Sequence, residues 1–189
     1  MTPTTAYRLA GRATGAIFFT LFGAAWLSLW LVGIQHLTLL TEAGVVLGAL
    51  ALLFVSAWVL QRAKQVPTAP VSPEEAALKK RHGRVFGWVN AAQWGTIFLL
   101  GWLLPRLGYG QDMIPAIVIV VGLHLFPLAH LFANPIHHLT GGALVAWALG
   151  CLLLGQQPDL QAQAALGAGC ILWVSAAYAL WLAVRGARG

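Results

Sequence analysis

Six apolar stretches of this chain can be laid out as membrane spans, the fifth of them short, and that pattern restricts the fold more than any other feature. About 20 apolar residues in a helix reach across a hydrocarbon core about 30 Å thick. The stretches run from about 13–34, 41–60, 84–104, 111–133, 139–154 and 161–184. Lipid offers no partner to a bare N–H or C=O, so each stretch must close its own hydrogen bonds as a helix. The expected fold is all-α: an integral membrane bundle of six transmembrane helices, forming one transmembrane domain over residues 1–189 with the lipid bilayer as its solvent. Composition excludes the soluble alternative, because 59% of the residues are hydrophobic and 8% are charged, against roughly a quarter charged in ordinary soluble domains.

The net charge of +6 would suggest nucleic acid in a soluble chain. Here topology accounts for it. With the amino terminus in the cytoplasm, Arg8, Arg12, Arg62, Lys64, Lys79, Lys80, Arg81, Arg84, Arg185 and Arg188 lie on the inner side and Arg106 alone lies outside. This asymmetry predicts both termini in the cytoplasm, no nucleic-acid partner, and residence in a bacterial cytoplasmic (inner) membrane. The first stretch follows Arg8 and Arg12 as a signal peptide would, but it runs on without a small-residue cleavage site and reads as a retained helix. His36, Glu42, Asp112 and Asp159 fall in outer loops or at helix ends and are expected to be solvated.

The cytoplasmic linker, residues 61–83, is the one sizeable polar segment. Its Ser72-Pro73-Glu74-Glu75 has the order of a helix start: a capping hydroxyl, proline at the first helical position, then carboxylates at the positive end of the dipole. The helix should continue through Leu78-Lys79-Lys80-Arg81 into the third span, its basic run at the lipid headgroups.

Residues 72 apart partly repeat. Gly11-Arg12, Gly15, Gly23, Leu27, Trp30 and Leu31 match Gly83-Arg84, Gly87, Gly95, Leu99, Trp102 and Leu103. Small residues also recur at helical spacing: Gly83, Gly87, Ala91 and Gly95 in the third span, Gly44 and Gly48 in the second, and Gly142, Ala146 and Gly150 in the fifth. Such ladders let helix backbones approach where lipid removes the hydrophobic drive for association. They suit a compact bundle, a homo-oligomer or a membrane-protein partner. Cys151 and Cys170 stand in different spans with no metal-type spacing, as apolar filler would.

Chemistry-bearing residues concentrate in the fourth span. His124 sits near its middle, where a cation is costly, so the imidazole should face the bundle. Pro127 has no N–H for the Leu123 carbonyl and is a natural hinge. Asn90 and Gln93 of the third span offer amide groups at a comparable depth, and with His124 and Pro127 they outline a pocket for a small polar ligand. The competing role for these side chains is hydrogen-bonding glue between helices. Nearer the cytoplasm, His130, His137, His138 and, from the third span, His82 are candidate metal ligands, since imidazole suits zinc, copper, nickel and haem iron. Their spacing matches no metal motif, so any cofactor stays open. His124 and His130, six apart and about 120° around the helix, do not make a dihaem pair.

No nucleophile elbow, phosphate-binding loop or dinucleotide fingerprint occurs, and the linker is too short for a catalytic domain, which weighs against an enzyme. Three functions remain: a small transporter or ligand-binding permease with its site at His124, a non-catalytic scaffold or accessory subunit, and a metal- or haem-dependent redox protein.

Overall fold

The computed structural model describes residues 3–65, 73–154 and 159–188. It contains α1 (Pro3–Gly33), α2 (Leu39–Lys64), α3 (Pro73–Arg106), a 3-10 turn (Gly110–Asp112), α4 (Met113–Leu131), α5 (Pro135–Leu154) and α6 (Leu160–Arg188). The protein is all-α. Among the described residues five helices are long and apolar enough to cross a membrane: Leu9–Gly33, Leu39–Lys64, Gly110–Leu131, Pro135–Leu154 and Leu160–Gly186. The exception is α3, the longest helix at 34 residues, whose middle carries Asn90, Gln93 and Thr96. It begins at Pro73 and runs unbroken through the basic run into the third apolar stretch, as expected. The Ser72 cap lies outside the described residues.

The helices cluster into two compact units, one of residues 1–69 with 169–189 and one of 70–168. In the first, α1 and α2 form a hairpin. The Gln35 N–H reaches the Val32 carbonyl and the His36 N–H reaches the Leu31 carbonyl, with Gln35 left-handed at φ 57. Thr38 then caps α2: the Thr41 N–H donates to Thr38 Oγ1 at 3.2 Å and the Thr38 N–H donates to Thr41 Oγ1 at 2.9 Å. Glu42, expected in solvent, sits instead in the first turn of α2, where its Oε1 accepts from Ser28 Oγ of α1 at 2.9 Å. The 169–188 part of α6 completes the unit. Trp173 occupies the space a side chain would need at Gly23 and at Gly48, and its Nε1–H donates to the Thr20 carbonyl at 3.0 Å. The core of this unit mixes small and large residues, with Ala13, Ala16, Ala176 and Ala183 wholly buried beside Leu9, Val59 and Leu172.

The second unit holds α3, α4, α5 and the start of α6. Gly122 of α4 and Gly141 of α5 make the tightest helix approach. Trp147 of α5 fills the place of a side chain at Gly167, and its Nε1–H donates to the Gln163 carbonyl at 3.1 Å. The small-residue ladders therefore work differently from expectation. Gly48 is used, but Gly142 and Gly150 face open space while Gly141, Leu144, Ala148 and Cys151 form the buried face of α5. One position is about 100° on a helix, enough to turn a ladder away from its neighbour. Along α3, Gly83, Gly87 and Gly95 also meet nothing.

An offset of 72 brings the helix ends only to within about five residues of one another, and the two turns stand 73 apart, Gln35 against Gly108. Shifted by 72, α1 would span 75–105 and α2 would span 111–136, against 73–106 for α3 and 113–131 for α4. Both hairpins leave their first helix through the same 6→1 and 5→2 turn, with Gly108 at φ 84 where the first has Gln35.

Candidate functional site

The α4–α5 connection brings the histidines together. Phe132 caps α4, Ala133 turns left-handed at φ 47, and the Asn134 N–H closes on the Ala129 carbonyl at 3.0 Å. Asn134 Oδ1 then accepts from the Ile136 N–H at 3.2 Å, so one residue ends α4 and caps α5, with Pro135 at the first helical position. This corrects the fifth stretch: the helix starts at Pro135, not 139, and His137 and His138 belong to its first turn.

His138 consequently lies against α4. Its ring meets that of His130 edge to face with 4.9 Å between centroids, and Phe126 at 5.6 Å. His130 Nδ1 donates to the Phe126 carbonyl at 3.1 Å within its own helix. His137 is turned inward, 6% exposed, beside Phe132 at 6.3 Å. Phe132 in turn packs edge-on against Phe86 of α3, closing the rim from the third helix.

His124 is deeper, about 9 Å along α4 from His130 at 1.5 Å per residue. It lies near the backbone of Val89 in α3. Its Nδ1 is buried without a partner.

The other residues expected here are placed as follows. Asn90 Nδ2 donates to the Phe86 carbonyl of its own helix at 2.8 Å, Gln93 is half-buried, and Pro127 lies on an exposed face of α4, which continues through it to Leu131. His82 is half-buried on α3 and makes none of these ring contacts. Among the described residues no three of His, Cys, Asp and Glu gather as metal ligands do. Sequence reasoning missed that Val89 of α3 lies near His124, because contacts between helices leave no mark in a sequence. Comparison of the chain with protein-family models, curated proteins and solved structures returns no match, so the reading of the site rests on its own residues.

Proposed function

We propose that this membrane protein is a small transporter or ligand-binding permease whose working site is at His124 of α4, deeper than the histidines His130, His137 and His138 of α4 and α5. The observation that carries this reading is the buried, unpartnered Nδ1 of His124. A side chain serving only as interhelical glue has little reason to leave a buried nitrogen empty, since a buried polar atom without a partner costs about 1–3 kcal/mol. A small polar ligand that donates a hydrogen bond offsets that cost. Placing both termini on the cytoplasmic side requires α3 to cross as well, its Asn90 and Gln93 then lying within the membrane. The lipid surroundings are those of a bacterial inner membrane, and at this length the working form is an oligomer.

The test is native mass spectrometry of the full chain released from mild detergent, wild type beside His124→Ala. A bound small mass in the wild type that is missing from the variant supports the site. Bare protein in both overturns it.

A second reading, a scaffold or accessory subunit, has its own observation in α3. Trp88 is 77% exposed and Phe98 70%, and the places of a side chain at Gly83, Gly87, Gly95 and Gly101 are open. That face suits a helix of a membrane-protein partner. This reading expects a stoichiometric protein in the same spectra and indifference to His124→Ala.

A further inference from the structure

We propose that Arg12 of α1 and Arg185 of α6 clamp the phosphate of an anionic phospholipid, at the end of the first unit where α1 begins and α6 ends. This site goes beyond the His124 reading and does not depend on it.

Two contacts bring both guanidiniums to one turn of α6. Arg12 Nη1 donates to the Leu182 carbonyl at 3.3 Å. A helical carbonyl points toward the N–H four residues on, so this one opens into the turn that carries Arg185. Arg185 lies over the Trp181 ring, 3.8 Å from its centroid, and Trp181 is braced in turn by stacking on Tyr178 at 5.8 Å. Positions three apart, such as 182 and 185, are neighbours on a helix surface, about 5–6 Å between Cβ atoms. Each guanidinium is thus held on one side and open on another. Arg12 is half-buried and gives one N–H to the carbonyl, which leaves its others for a further acceptor. Arg185 is exposed, its planar face is on the indole, and among the described residues no acceptor meets its N–H groups.

Charge identifies the ligand. Of the five acidic residues in the chain, Glu42 alone belongs to this unit. It is engaged with Ser28, which lies about 24 Å along α1 from Arg12 at 1.5 Å per residue. Arg62, stacked on Trp58, and Lys64 close α2 and add positive charge to the same unit. The two arginines therefore have no carboxylate side chain of their own unit to pair with, and guanidinium forks match the oxygens of a phosphate. The surface beside them selects a lipid over a free anion. Val174, Tyr178, Trp181 and Arg185 are all exposed and share one face of α6, an apolar line for an acyl chain that ends at the guanidinium. Trp and Tyr at the end of an apolar span belong at headgroup level. Arg106, at the end of α3, provides the contrast. It too stacks on a tryptophan, Trp102, at 4.1 Å, but it donates to the Trp102 carbonyl of its own helix at 3.0 Å. The next arginine along α3, Arg84, is about 33 Å away, so Arg106 has no companion on its helix for a clamp.

The experiment is native mass spectrometry of the full chain in mild detergent, titrated with phosphatidylglycerol or with phosphatidylcholine of the same acyl chains. The wild type should prefer the anionic lipid by about twentyfold, the effect of two basic residues at one headgroup. Arg12→Gln and Arg185→Gln should each weaken phosphatidylglycerol binding by about fivefold and leave phosphatidylcholine unchanged. Arg185 is exposed and bears on no helix contact, so its variant tests the clamp even if Arg12→Gln unfolds. Arg106→Gln should change neither lipid. Equal binding of the two lipids, or a loss in Arg106→Gln as large as that in Arg185→Gln, overturns the clamp. Displacement of the lipid by inorganic phosphate at the same concentration also overturns it, because the ligand is then a free anion. His124→Ala should keep the lipid mass, which separates this result from the test of the His124 site.

Discussion

Gly122 of α4 and Gly141 of α5 lie backbone to backbone: a Cβ on Gly122 would stand 2.8 Å from the Gly141 carbonyl oxygen, and one on Gly141 would stand 2.6 Å from the Gly122 carbonyl oxygen. A backbone oxygen cannot rotate aside, so alanine at either position must force the helices apart. Gly141→Ala is expected to cost about 1–3 kcal/mol. Gly142→Ala, one position on and facing open space, should be neutral or stabilise by about 0.5–1 kcal/mol through helix propensity. Thermal unfolding of the two variants in one detergent checks the contrast, and equal transitions would contradict the packing described.

Trp173 is the keystone of the first unit because it meets Gly23 and Gly48 on two different helices and hydrogen-bonds the Thr20 carbonyl. Trp173→Phe keeps an aromatic ring but loses the donor and should cost about 1–3 kcal/mol. Trp173→Ala should cost about 3–5 kcal/mol. The corresponding changes at Trp147, which is 42% exposed, should be milder. Denaturant titrations of the four variants give the ranking.

Three interhelical turns share one geometry, but only Gly108 has the residue suited to it; Gln35 and Ala133 hold positive φ with a side chain attached. Left-handed backbone costs a non-glycine residue about 1–2 kcal/mol. Gln35→Gly and Ala133→Gly should each raise stability by about 1 kcal/mol, while Gly108→Ala should lower it by a similar amount. A rise in the unfolding midpoint for the first two and a fall for the third is the expected result.

Ser28 and Glu42 tie α1 to α2 through one hydroxyl and one carboxylate oxygen, and the second oxygen, Oε2, is buried without a partner. Ser28→Ala removes the only hydrogen bond described for that carboxylate and should destabilise by about 1.5–3 kcal/mol. Glu42→Gln keeps an oxygen for Ser28 and lowers the cost of burying a charge, so it should be neutral or stabilising. A double-mutant cycle measured by unfolding isolates the coupling.

Much of the architecture was legible before any coordinates. The apolar runs placed most helix ends to within a few residues, though α1 starts at Pro3 rather than about 13, and the Pro73 start of α3 was readable as a cap signal. The site was legible only in part. His124 stood out because a histidine in an apolar helix is unusual, but its Nδ1 is buried without a partner, and the Asn90 amide is engaged with the Phe86 carbonyl of its own helix. His137 and His138 were assigned to a loop, because the first turn of α5 carries polar side chains and falls outside the hydrophobic run.

What the sequence by itself determined is the all-α class and its membrane setting. These follow from local quantities, the length of an apolar run and the need of each backbone group for a partner, which summed composition expresses directly. Tertiary structure decided which glycines are used, where Trp173 lodges, that Glu42 is tied to Ser28, and which histidines meet. Those outcomes depend on rotation about the helix axis, where one residue turns a side chain by about 100°. In a chain apolar on nearly every face, no polar stripe announces that rotation; the close approach of Gly122 and Gly141 and the turn at Ala133 set it.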